Sequence, residues 1–235
     1  MKMLFYEHFL NNMSDLTIDL IPMGLECIDC LSQDEFFNCL KSSDSPATIM
    51  MTGTKEIGLF KQIREISPSI NIFYVVKNTT KTDLIKSFAP FCITAIINFT
   101  ESSVHMADEI VRAIVSHNIS TKDKRVHIRV RPIEPEIITS AVCIKEINRF
   151  IKGKVIDISA GGCAIKFDNH EEVSLLSPKT VYDPLLLKID GTGIKALATL
   201  VAIHNNAAGF HFDNVEPVQM RRLANYIYRK ISENK

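Results

Sequence analysis

The sequence predicts two domains: an N-terminal α/β domain built on a five-stranded parallel sheet, and a C-terminal antiparallel β-barrel that ends in a helix. Short apolar runs alternate with amphipathic segments in residues 1–117, a pattern typical of parallel strands joined by helices. From Ile137 to Phe212 the strand-like segments follow one another between turns, with almost no helical periodicity. A chain of 235 residues is long enough for each domain to bury its own core.

Five apolar runs are expected to form the strands of the first domain: Met3–Tyr6, Leu25–Leu31, Thr48–Thr52, Ile70–Val76 and Cys92–Ile97. Amphipathic segments predict helices at Asp34–Lys41, Lys55–Ile66, Thr82–Ala89 and Val104–His117. In the last of these helices, Ile110, Ile114 and Val115 should face inward. Five strands alternating with helices over this length are typical of a flavodoxin-like fold.

Residues 118–132 predict the domain boundary, because this stretch is polar and basic and shows no strong hydrophobic period. The second domain then covers residues 133–235. Ala208–Phe212 is expected to be a late strand of the barrel, and a terminal helix is predicted from about Glu216 to Ile231.

Two short motifs in the second half carry the candidate binding chemistry. Arg125 and Arg129 form an R-x-x-x-R in the linker, and Asp157, Ser159 and Gly162 form a D-x-S-x-x-G. Guanidinium groups hold phosphate oxygens through charge-assisted hydrogen bonds and also bind the O6/N7 edge of guanine. On a strand, the aspartate and serine face the same way, so the carboxylate can accept from guanine N–H groups, and the glycine lets backbone approach a ligand. The set suits a compact, doubly charged anion that carries guanine.

In this order, at the separation of a hairpin, the two motifs resemble the signature of the PilZ family, the bacterial receptor domain for cyclic di-GMP. The late strand and the terminal helix are similar to the end of that barrel, and the resemblance covers about residues 122–233. It implies nucleotide binding in second-messenger signalling, with no cofactor beyond the ligand and no catalytic residue.

The resemblance also implies which residues bind cyclic di-GMP. They are Lys124, Arg125, Arg129, Asp157, Ser159 and Gly162. The basic residues of this set would neutralise the phosphates, and Asp157 would read a guanine edge. Lys124 stands where many PilZ-like sequences carry an arginine, which leaves open whether one ligand or a stacked pair binds.

In length and order of elements, the first domain resembles a response-regulator receiver, most of all in Phe60–Pro68. The residues with which receivers carry out phosphoryl transfer are missing. The third strand ends at Thr52 with no phosphoacceptor aspartate, Glu7 is the nearest candidate for the acidic pair that holds Mg²⁺, and Asn98 lies where a lysine is expected. We therefore expect a degenerate receiver that is not phosphorylated; an unrelated small α/β domain is the alternative.

Such a domain would act through contacts. Receivers use the face of their fourth and fifth helices to dimerise or to dock partners, which here implies Thr82–Ala89 and Val104–Val115. A homodimer and an unidentified protein partner are both open. The halves also differ in charge: residues 1–120 carry 9 Lys and Arg against 14 Asp and Glu, and residues 121–235 carry 18 against 13. Because the arginines lie in the linker, ligand binding is expected to reorient the acidic domain against the basic one.

Other classes of function are disfavoured. A barrel that no longer binds nucleotide would make the protein a ligand-independent adaptor, but every signature residue is present. Nucleic-acid binding is not expected, since the basic residues are dispersed and lack interleaved aromatics. Neither is catalysis, because His127, His204 and His211 stand in no catalytic motif.

The sequence also predicts a cytoplasmic protein without membrane insertion. It has no apolar run of membrane-spanning length, and its N-terminus does not have the pattern of a secretion signal. The six cysteines are expected to be mostly buried free thiols, and no metal site is expected because Cys27-x-x-Cys30 has no second pair.

Overall fold

The computed structural model describes residues 1–6, 13–42, 48–52, 57–77, 89–119, 127–133 and 136–233. Its internal contacts divide the chain into two units, Met1–Val126 and His127–Lys235.

The first unit contains a sheet of five strands: β1 Lys2–Tyr6, β2 Glu26–Cys30, β3 Thr48–Thr52, β4 Asn71–Val76 and β5 Ala95–Asn98. Its described helices are α1 Met13–Leu20, α2 Gln33–Lys41, α3 Ile57–Ile66 and α4 Ser103–Ser116, with short 3-10 turns at Ile21–Met23 and Ala89–Phe91. All neighbouring strands run parallel, in the order β2-β1-β3-β4-β5.

The sheet of the first unit is buried on both faces. Alternate residues of β1 point to opposite sides, so Leu4 packs with residues of α2 and α3 while Phe5 packs with residues of α1 and α4. Cys27 and Cys30 of β2 belong to these two opposite clusters, so the C-x-x-C does not bring its thiols to one site.

Local signals explain where α2 begins. The Ser32 hydroxyl accepts from the Glu35 amide at 3.2 Å, and the Glu35 carboxylate accepts from the Leu31 amide at 3.0 Å. The first contact satisfies an amide group that the first turn of a helix leaves without a partner, and the second holds the residue before the N-cap to the same turn.

Several expectations for this unit need correction. The prediction that Val115 faces inward is wrong: its side chain is 67% exposed, and the buried face of α4 is formed by Met106, Ala107 and Ile110. Helix α1 was not expected from the sequence. The helix predicted at Thr82–Ala89 falls on residues 82–88, which lie outside the described residues, and Ala89 begins a 3-10 turn.

The second unit is a closed antiparallel barrel of six strands in the order β10-β11-β8-β7-β6-β9. The strands are β6 Thr139–Ile144, β7 Arg149–Ser159, β8 Gly162–Phe167, β9 Val181–Ile189, β10 Thr192–His204 and β11 Ala207–Val215. Two helices, α5 His170–Val173 and α6 Pro217–Glu233, and a 3-10 turn at Lys145–Ile147 complete the unit. The predicted antiparallel barrel with a terminal helix is confirmed.

The terminal helix is attached by one apolar face and one polar cluster. Leu223, Ala224 and Ile227 are fully buried. Next to them, the Lys230 ammonium lies 2.8 Å from Glu136 and 2.7 Å from Glu233. Because this lysine is only 7% exposed, both carboxylates are needed to compensate its buried charge.

The cysteines are less uniformly buried than expected. Cys27, Cys30 and Cys163 are buried, Cys39 and Cys143 are partly exposed, and Cys92 is exposed. Burial raises the pKa of the Cys30 thiol to about 12. In the part of the chain that the structure describes, no helix has the length and apolar character needed to span a membrane.

Candidate ligand-binding site

The D-x-S-x-x-G motif forms the end of β7, a two-residue turn and the first residue of β8. Val155 points into the barrel, so regular alternation would also turn Asp157 inward. A β-bulge at Ile156 shifts the register, so that Asp157 pairs with Ala164 and Ile158 takes the buried position. The bulge therefore brings the Asp157 carboxylate to the outer surface.

The segment around Arg129 is joined to this hairpin by a single antiparallel β-bridge. Val130 and Ile158 exchange two backbone hydrogen bonds of 2.9 Å, and Val130 is 6% exposed. Beside this bridge, Arg129 Nη1 donates to Asp157 Oδ1 at 3.3 Å. The structure thus joins Arg129 of one motif to Asp157 of the other, whereas Lys124 and Arg125 lie outside the described residues.

The Arg129–Asp157 ion pair is largely open to solvent, with the two side chains 53% and 22% exposed. Exposed pairs of this kind contribute at most about 1 kcal/mol to stability. Each partner can therefore exchange the other for a ligand group at small cost.

Ser159, the last residue of β7, is buried rather than presented to solvent. Its side chain is 4% exposed, and its hydroxyl donates to the Gly162 carbonyl at 3.2 Å. The oxygen keeps its capacity to accept a hydrogen bond. In this conformation the serine stabilises the turn that carries the motif.

Gly162 has a structural role that the sequence did not indicate. A Cβ atom at this position would overlap the Phe210 carbonyl oxygen and lie 3.2 Å from the Cα atom of His211. The close approach of β8 to β11, and not space for a ligand, accounts for the glycine.

Beside Asp157 a row of small residues crosses the outer surface of the barrel. Asp157 pairs with Ala164, Ala164 with Gly209, and Gly209 with Ala202, on four consecutive strands. We call Ala164, Gly209 and Ala202 the flat strip. In the next outward-facing pair of residues on β7 and β8, Lys154 lies opposite Lys166, and both are exposed. A carboxylate, cations and a flat apolar floor therefore lie together.

Two histidines belong to this region, although no sequence motif assigned them to it. His127 packs against Gly161 in the hairpin turn, and His211 lies opposite Gly162 on β11. The His127 Nδ1 atom is buried with no hydrogen-bond partner among the described residues. Burial lowers the pKa of His127, and the nearby His211 lowers it further. As expected from its position between Phe210 and Phe212, His211 points away from the core.

Among the described residues, no group of three or more histidine, cysteine, aspartate or glutamate side chains is arranged to hold a metal ion.

Several solved structures are similar to this chain. The PilZ domain of YcgR from Escherichia coli with c-di-GMP is 17% identical, with a TM-score of 0.42, over 48% of this chain and 95% of that one. YcgR from Escherichia coli in complex with c-di-GMP is 18% identical, with a TM-score of 0.40, over 48% of each chain. MrkH of K. pneumonia in its apo state is 16% identical, with a TM-score of 0.41, over 49% of this chain and 53% of that one. The match thus spans about half the length of YcgR and of MrkH.

A search of curated protein sequences found no match to the chain. The family comparison does find one, to the PilZ domain, over residues 123–229. This range takes in both motifs and the whole barrel with most of its terminal helix. Residues 123–229 of this chain belong to the PilZ domain family.

Proposed function

We propose that the protein is a non-catalytic effector that binds cyclic di-GMP through its PilZ domain. The observation that carries this proposal is the contact between Arg129 and Asp157, which unites a phosphate-binding group and a guanine-reading group at one surface. Two of the similar solved structures, both of YcgR, contain c-di-GMP. The proposed ligand-binding set is Lys124, Arg125, Arg129, Asp157, Ser159 and Gly162. Within this set, Ser159 and Gly162 act by shaping the hairpin that carries Asp157.

Binding proceeds by exchange of partners. Arg129 leaves Asp157 for a phosphate oxygen, and the released carboxylate accepts from the N–H groups of a guanine. A hydrogen bond to a charged group contributes about 1.5–3 kcal/mol, more than the exposed ion pair that is lost. The guanine ring lies on the flat strip. Lys124 and Arg125 add positive charge for the second phosphate.

The output of binding is a changed arrangement of domains that is read by protein contacts. We propose an N-terminal domain of residues 1–117, a linker of residues 118–132 that carries the arginines, and a barrel domain of residues 133–235. A ligand that contacts both the linker and the barrel links occupancy to domain arrangement. We further propose a cytoplasmic protein that signals as a homodimer or through a separate protein partner.

The N-terminal domain is proposed to be a degenerate receiver with a flavodoxin-like fold. The strand order 2-1-3-4-5 supports this, since it is one of the two common orders of doubly wound sheets. Met51 and Thr52 end β3 without a carboxylate, which argues against phosphoryl transfer at that strand. Its role is then to make contacts.

The proposal predicts that Arg129→Ala weakens binding of cyclic di-GMP about ten- to a hundredfold, the equivalent of one lost charge-assisted hydrogen bond. Calorimetric titration of the full chain measures this, with GTP and cyclic di-AMP as competing ligands. Arg149→Ala is the matched control, because Arg149 lies at the other end of β7 in a 2.9 Å ion pair with Glu172. Its affinity should equal that of the wild type.

Equal affinity of the Arg129→Ala variant and the wild type would exclude the exchange of partners. Absence of binding by the folded wild type would exclude the receptor altogether. In that case the ligand-independent adaptor, the other reading of the sequence, would take its place.

A further inference from the structure

The residues that join linker and barrel contact the hairpin at three successive points. Val130 pairs with Ile158, and Arg129 lies against Asp157. At the third point the ring of His127 covers Gly161. The first contact is backbone pairing and the second is an exchangeable ion pair, so the ring is the side-chain contact nearest to the segment that carries Arg125.

The His127 contact depends on the missing side chain of Gly161. A Cβ atom built there would overlap the edge of the imidazole and lie 2.7 Å from Nε2, and the three atoms nearest to it all belong to His127. Gly161 does not have a positive φ, in contrast to Gly191 in the next hairpin, so its backbone conformation does not demand glycine. Within the described residues, the space taken by the ring is therefore what accounts for this glycine.

The contact uses the shape of the ring and not its polarity. Nδ1 has no hydrogen-bond partner among the residues that the structure describes. Nε2 is the nitrogen that faces the glycine, and Cδ2 lies beside it. A planar ring of similar size without nitrogens fits the same place.

We propose that His127 is a positioning residue for the nucleotide: by packing on Gly161, it holds the described segment around Arg129 against the hairpin before the ligand arrives. This inference rests on the proposed function and adds a pair of residues to it. A segment that is already held in place does not have to be ordered on binding, and ordering one residue costs about 1–2 kcal/mol.

A double-mutant cycle tests the proposal. Affinity for cyclic di-GMP is measured by calorimetry for the full-length wild type, Gly161→Ala, His127→Ala and the double variant. Each single variant is expected to bind about tenfold more weakly, because one residue must be ordered again. The double variant is also expected to bind about tenfold more weakly, since the added methyl group has no ring left to displace.

Two further variants distinguish a loss of positioning by His127 from a general loss of stability. His127→Phe keeps a ring on Gly161 and should bind as the wild type does, while Gly161→Ala in that background should again weaken binding. Gly193→Ala is the control for adding a methyl group to a glycine of the same barrel, since nothing lies within 4 Å of a Cβ atom there. It should leave affinity unchanged.

Amide hydrogen exchange in the ligand-free protein gives a readout that needs no nucleotide. The Val130 amide donates to Ile158 at 2.9 Å and should exchange faster in Gly161→Ala and His127→Ala, but not in Gly193→Ala. Unchanged exchange together with unchanged affinity would overturn the proposal. So would independent effects that multiply to about a hundredfold in the double variant.

Failure of the proposed function has its own signature. A wild type that binds no cyclic di-GMP overturns the positioning role together with the receptor. Faster exchange at Val130 in the Gly161→Ala variant would then show that the His127–Gly161 contact exists as a purely structural one.

Discussion

At the scale of single residues, Arg64 joins separate segments of the first unit. It lies near the end of α3 and donates from Nε to Phe91 at 2.9 Å, from Nη1 to Ile70 at 2.6 Å and from Nη2 to Cys92 at 2.7 Å. All three acceptors are backbone carbonyls in the segments that lead into β4 and β5. Partial burial lowers the pKa of this guanidinium, which nevertheless stays protonated at neutral pH.

Arg64→Lys is expected to destabilise the first unit by about 2–3 kcal/mol, because one ammonium group cannot reach carbonyls of two separate segments. Urea denaturation of the full chain measures the loss. Arg112→Lys is the matched control: Arg112 is 74% exposed in an ion pair with Glu109, and its replacement should change stability by less than about 0.5 kcal/mol. Equal stability of the two variants would contradict this account of Arg64.

At the scale of elements, the β7–β8 hairpin positions the candidate site. Its bulge at Ile156 turns Asp157 outward, Ser159 at the end of β7 donates to the Gly162 carbonyl, and Gly162 itself lies against β11. The first two features are internal to the hairpin, and the third depends on the neighbouring strand. The motif therefore specifies a backbone shape as well as a set of ligand contacts.

Gly162→Ala should destabilise the barrel by about 1–3 kcal/mol, the usual cost of forcing a methyl group into close-packed structure. The clash is with the backbone of Phe210, which cannot move aside as a side chain can. Thermal unfolding of this variant and of Gly193→Ala, whose added methyl group meets nothing within 4 Å, provides the comparison. Similar melting temperatures would mean that β8 and β11 separate at little cost.

At the scale of the whole molecule, the sequence predicts what depends on periodicity. Each of the five apolar runs in the first half overlaps an observed strand, and the barrel and its terminal helix are present. Helix α1 was not predicted from the sequence. Its residues Leu16, Thr17, Ile18 and Leu20 are all buried, so the segment does not show the separate apolar and polar faces that indicate a helix. The prediction for Val115 was wrong because Met106 and Ile110 set the buried face of α4, and Val115 lies nearly half a turn away from them.

The candidate site was predictable in its residue types but not in its contacts. The spacing of the motifs indicates arginine, aspartate and serine at one ligand, and the structure brings Arg129 to Asp157. Gly162 is needed because β11 packs closely against it, and Gly161 because the ring of His127 packs on it. Both partners are distant in the chain, so no local pattern reports them.

The central claim is that Asp157 reads guanine, and the selectivity of Asp157→Asn tests it most directly. Affinities for cyclic di-GMP and cyclic di-AMP are compared by calorimetry in the wild type, in Asp157→Asn and in the control Asp183→Asn, whose carboxylate forms an exposed 3.6 Å pair with Lys145. The wild type and the control should prefer cyclic di-GMP, and Asp157→Asn should lose about 1–3 kcal/mol of that preference. An Asp157→Asn variant that keeps the affinity and the preference of the wild type would contradict the claim.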